Sequence, residues 1–151
     1  MQLSEHFSLE ELVASETAAR TGIDNTPSPQ LMPNLRALAQ GLEQVRTALG
    51  GLPIHINSGF RCAALNSAVG GAKSSMHMRG LAADILCPQF GTPLEVCRAI
   101  VAAGIVTDQI IHEFGKWCHI AVASPGTQAR RQLLTIASAA QGYQEGLLPV
   151  A

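Results

Sequence analysis

Ser75-Met76-His77-Met78-Arg79-Gly80-Leu81-Ala82-Ala83-Asp84, answered far downstream by Trp117-Cys118-His119, is the part of the chain from which the rest can be read. It offers two imidazoles and one carboxylate, a set that can hold a zinc ion on three protein ligands and leave a fourth position for water. Residues 81–87 read as a strand. Alternation puts Ala82 and Asp84 on one face with Ala83 and Ile85 on the other, so a carboxylate stands out from an otherwise apolar strand. An unpaired charge there is costly, and metal coordination resolves it. Gly80, Ala82 and Ala83 are small, as expected where backbone approaches a site closely. Each candidate also has an ordinary reading, a hydrogen-bonded core histidine or an aspartate that caps a strand.

Downstream, residues 109–114 and 117–123 form two strands joined tightly around Gly115-Lys116. Their register decides which side chain shares the His119 face. A two-residue turn sets His112 opposite His119 and turns Glu113 away. A three-residue loop of Phe114-Gly115-Lys116 sets Glu113 opposite Trp117 and Ile111 opposite His119, which brings a carboxylate onto the ligand's face. A carboxylate beside the metal requires the second register; in the first, His112 becomes the alternative ligand or base, with an incidental strand histidine as its ordinary reading. Cys118 points away from His119 in either register and reads as an inert core thiol. Residues 132–137 suggest an edge strand, and residues 138–151 a loosely ordered tail.

Upstream, Ser8 with Glu11 three residues on, and Phe7 against Leu12, mark a helix start, with the helix running to about Ala18. A connecting loop follows over 21–29. Apolar residues at Leu31, Leu35, Leu38, Leu42, Val45 and Leu49 then space out an amphipathic helix that ends at Gly50-Gly51. Residues 53–57 alternate as a half-buried strand with Ile54 and Ile56 inward, and residues 62–69 make a short helix. Thr92-Pro93-Leu94-Glu95 combines an N-cap, a proline at the first helical position and a capping-box glutamate, so a helix spans about 93–103. Helices first and mainly antiparallel strands after them indicate an α+β fold, with N-terminal helices packed on a small sheet. One domain over 1–137 accounts for the pattern.

A chain of 151 residues with 47% apolar content is long enough for a single buried core. The net charge of -1 and the absence of Lys/Arg clusters exclude a nucleic-acid surface. Charge is uneven: residues 1–60 carry three Arg against six acids, residues 61–131 seven basic against four acidic side chains. That bias favours a substrate bearing carboxylates. The four cysteines form no CxxC pair and read as reduced thiols, and Gly70-Gly71-Ala72-Lys73-Ser74 lacks the phosphate-loop pattern. The first residues have neither the basic nor the apolar region of a signal peptide, and no stretch reaches membrane-spanning length, so a cytoplasmic product without stable membrane association is expected.

Taken jointly, Ser58-Gly59-Phe60-Arg61, Leu65-Asn66, Val69-Gly70-Gly71-Ala72, the SxHxxGxAxD run and Glu113 followed by Trp117-x-His119 resemble the zinc D-alanyl-D-alanine carboxypeptidases and their phage endolysin relatives. The resemblance runs from about Phe7 to Val122. It implies the hedgehog-like peptidase fold and zinc on His77, Asp84 and His119. It also implies Glu113 as catalytic base, Arg61 as stabiliser of an oxyanion or substrate carbonyl, and Ser75, Arg61 and Trp117 as substrate-binding side chains. The implied partner of this monomer is a peptidoglycan peptide, met at the cell wall after release from the cytoplasm. Arg61 in a surface ion pair and Ser75 as a turn residue are the ordinary readings. The rival function is a non-catalytic zinc domain on the same scaffold, which needs neither Glu113 nor Arg61.

Overall fold

Helix formation begins at Ser8, whose side chain accepts the Glu11 N–H and starts α1 (Leu9–Val13). The expected run to Ala18 breaks in two. Ser15 adopts an extended backbone and its hydroxyl caps a second helix, α2 (Glu16–Thr21), by accepting the Ala18 N–H. Serine competes in this way with helix continuation because its hydroxyl satisfies a first-turn donor better from the cap than from mid-helix. A 3₁₀ turn at Pro29–Leu31 leads into α3 (Met32–Ala48), which buries Leu35, Leu38, Ala39, Leu42 and Val45. Each buried leucine contributes about 1.5–3 kcal/mol relative to exposure.

The computed structural model describes residues 1–151. After α3 come β1 (His55–Ser58), α4 (Ala63–Ala68), a 3₁₀ turn at Met76–Arg79, β2 (Ala82–Leu86) and α5 (Pro93–Ala102). Thr92 and Glu95 form the full capping box of α5. The chain then supplies β3 (Gln109–Glu113), β4 (Trp117–Ala121), β5 (Gln132–Ile136) and β6 (Tyr143–Glu145). The six strands order as β1-β2-β4-β3-β5-β6, antiparallel except for the β3–β5 pair. The α+β expectation is met.

Pleating sends Ala83, Ile85, Ile110, Cys118 and Ile120 to one face, where all are buried in a single core cluster. Helix α5 lies on β2, β3 and β4, and α3 packs against α5. The other face carries Asp84, Glu113, Trp117 and His119 and opens onto a cleft.

Two expectations at the C-terminus are corrected. Residues 132–136 are not an edge, because β5 runs parallel to β3 and is covered on its far side by β6. Nor is 138–151 a loose tail. The Gly146 N–H reaches the Leu133 carbonyl at 2.9 Å, Thr135 Oγ1 donates to Gly146 O and accepts from Leu148 N, and Arg98 donates to Leu147 O. His112 Nδ1 donates to the Leu148 carbonyl at 2.9 Å. All three β6 residues are exposed, so the strand has no apolar alternation to announce it.

Candidate metal centre

His77 sits in the 3₁₀ turn that Ser75 caps by accepting its N–H at 3.1 Å, and Gly80 closes the turn in the left-handed region at φ 70°. The His77 ring is aimed from behind. A carbonyl can only accept, so Nδ1, 2.7 Å from the Gly59 oxygen, is the donor, and Nε2 is left with its lone pair facing the cleft. Gly59 is itself tightly seated: a Cβ there would collide with the Leu12 carbonyl, to which the Phe60 N–H also bonds at 2.7 Å. Asn25 locks the same corner. Its side chain donates to Val13 O and Phe60 O and accepts from Cys62 N.

Asp84 and His119 are register partners on β2 and β4. His119 Nδ1 lies 3.0 Å from Asp84 Oδ1, and His77 Nε2 lies 3.3 Å from the same oxygen. The three ligand atoms all fall within 4.8 Å of one another. Donors about 2.0–2.1 Å from one tetrahedral ion are about 3.3 Å apart, so the set fits zinc. Its chemistry also fits, since a neutral imidazole lone pair and a carboxylate are what the ion requires, and all three residues are buried. Burial alone would raise the Asp84 pKa, but the two imidazoles beside it, His119 first, outweigh that and hold the carboxyl well below the usual range.

The hairpin adopts the three-residue loop: Glu113 opposes Trp117, Ile111 opposes His119 and His112 opposes Cys118. Glu113 Oε1 therefore stands 3.3 Å from His119 Nδ1. Burial pushes the Glu113 pKa up, opposed by the His119 charge, with the Asp84 charge adding to the rise. The loop holds Phe114 at φ 59°, an uncommon conformation for a non-glycine residue, and seats its ring edge-on to Trp117. His112 turns to the packed face, where it holds the C-terminal segment through Leu148.

Arg61 lies over the same cleft. It makes no ion pair, so the surface-pair reading fails, and its Nε is buried without a partner. Desolvation lowers its pKa while the Asp84 and Glu113 charges counteract that. Ser75 lines the cleft with its oxygen engaged as the turn's cap, so the turn-residue role is real whatever else the hydroxyl does. The Trp117 indole nitrogen is buried with no hydrogen-bond partner. Cys118 is fully buried, and the Cys97 thiol beside it together with burial pushes its pKa well up.

The cleft encloses about 1510 Å³, with His55 and Asn57 also on its walls. Three contributors escaped the sequence reading. Asn25 sat in a segment read as a plain loop, while Asp108 and Tyr143 line the cleft from a strand's approach and from β6. Asp108 is buried and chelated by Arg130, whose Nε and Nη2 donate at 3.0 and 2.8 Å. An acid just before a strand and an arginine just before another carry no local signal that they meet.

Residues 5–121 match the peptidase M15 family. A 44-residue segment is 52% identical to the zinc D-Ala-D-Ala carboxypeptidase of Streptomyces albus G; the match covers 29% of this chain and 17% of that protein, so the chain spans only a small part of its relative's length. With more than half of its length matched and a cluster fit for zinc at the centre of the matched region, the chain belongs to the peptidase M15 family.

Proposed function

We propose that this protein is a zinc metallopeptidase that hydrolyses an amide bond in peptidoglycan stem peptides. The observation that carries the reading is the convergence of His77, Asp84 and His119 with Glu113 at hydrogen-bond range of His119, on the open face of the sheet. Zinc held by the three ligands supplies Lewis acidity, which acidifies water and polarises the scissile carbonyl.

The chain's own residues do the rest. Glu113 accepts a proton from the attacking water as the new C–O bond forms, then delivers it to the departing nitrogen as the C–N bond breaks. The enclosure that raises its pKa suits both halves of that shuttle. Arg61, unpaired and desolvated, neutralises charge on the tetrahedral oxygen. Ser75 and Trp117, both on the cleft wall, orient the substrate.

The relative's name favours the D-Ala-D-Ala bond at the peptide end over the link between L-alanine and D-glutamate. The biological setting we infer from the motifs is a phage or prophage endolysin. No helix is long and apolar enough to cross a membrane.

Purified protein incubated with a muropeptide panel, with and without chelator, tests the reading by product mass. Loss of one alanine marks the carboxypeptidase; separation at L-Ala/D-Glu marks the endopeptidase. Glu113→Ala should lower kcat by about 10²–10⁴ while zinc stoichiometry stays at wild type. A panel with no chelator-sensitive product would return the chain to a zinc domain without catalysis.

A further inference from the structure

The strand registers align four side chains in one row across the open face. Trp117 opposes Glu113, Glu113 pairs with Ile136, and Ile136 pairs with Tyr143. All four line the cleft, and Phe114 closes the row at the hairpin with its ring against Trp117. Ile136 and Tyr143 belong to β5 and β6, outside the residues 5–121 that match the family. The half of the row that holds Glu113 is thus continued by an apolar half beyond the matched residues.

Two features show that this apolar half is held in place. The segment behind Tyr143 is fixed by Thr135 and by the buried His112, whose imidazole serves no purpose in the metal centre. On the hairpin side, the unusual Phe114 backbone is tied to β5 by a 2.7 Å bond from its N–H to the Ile136 carbonyl. Tyr143 nevertheless stays 58% exposed, a large ring on a cleft wall with nothing covering it.

Spacing sets what can reach it. Two strand intervals of about 4.8 Å separate Tyr143 from Glu113, about 10 Å in all, while an extended peptide advances about 3.4 Å per residue. We propose that Tyr143, with Ile136, forms a distal subsite that takes the apolar face of a peptide residue about three positions from the scissile bond, and so selects longer stem peptides over a bare dipeptide. This rests on the peptidase reading and adds the substrate's length to it.

The lone tryptophan provides the test, because Trp117 stands in the row itself. Its fluorescence is titrated in chelated protein, where nothing is cleaved, with D-Ala-D-Ala, with a five-residue stem peptide, and with the same peptide carrying its disaccharide. Wild type should bind the pentapeptide about tenfold more tightly than the dipeptide, Tyr143→Ala should erase that ratio, and Tyr143→Phe should keep it. Equal wild-type affinities, or a ratio unmoved by Tyr143→Ala, would overturn the subsite. A preference that arises only with the disaccharide would assign the shelf to sugar and overturn the peptide assignment. Binding without any metal-dependent cleavage would instead remove the hydrolase reading and leave the subsite standing.

Discussion

The two faces of one sheet are built to opposite rules. Behind the strands, Ile110, Cys118 and Ile120 are sealed against α5, and the polar His112 and Thr135 on that face both have hydrogen-bond partners. In front, Asp84, Glu113 and His119 crowd within a few ångströms, and the Arg61 and Trp117 nitrogens lie buried without partners. Such crowding is destabilising in isolation. Consecutive residues serve the two rules, Cys118 facing back and His119 forward, so the packed face fixes where the strained one must stand.

The sharpest way to break the comparison is to cut one side chain from each face. His77→Ala should abolish stoichiometric zinc and lower kcat/KM by on the order of 10³-fold or more, with little loss of fold, as metal analysis and kinetics would register. Ile120→Ala should do the reverse, costing about 3 kcal/mol in denaturant unfolding while kcat below the transition is kept. If Ile120→Ala instead loses zinc first, the faces are not separable.

Metal removal sharpens the contrast by acting on the front face alone. Zinc at a thousandfold excess over its Kd should stabilise the wild type by about 4 kcal/mol. Asp84→Asn should lose that response in a thermal melt. The smallest effect belongs to the rim, where Asp108 meets Arg130. Burial raises the Asp108 pKa, but the Arg130 hydrogen bonds outweigh it and leave it depressed. Its stabilisation is therefore present above the ordinary carboxylate value and lost as pH falls through the folded value, below about 4. Because Arg130 is more than half exposed, Asp108→Asn should flatten this acid limb by less than about 1 kcal/mol.

What the sequence made legible was local or periodic. Ser8 and Thr92 announce helix starts because a cap acts within three residues, and α3 announces itself by its leucines. The ligands were legible because His77 and Asp84 share one short run with unusual small residues. The hairpin register was legible only through chemistry, since both loops suit the turn residues and only one brings Glu113 to His119. What escaped was non-local. Parallel pairing of β5 with β3 leaves no mark in either strand, β6 is held by backbone and by side chains from elsewhere, and Asn25 acquires its role only where two distant segments, at Val13 and at 60–62, meet around it.

The carbonyl of Gly59 grips the back of one ligand ring while the Gly59 backbone is wedged against Leu12. The aim of the His77 ring is therefore set from the end of the first helix. A change at Leu12 or Asn25 would thus act on the His77 ring without touching any of the three side chains that could hold the ion.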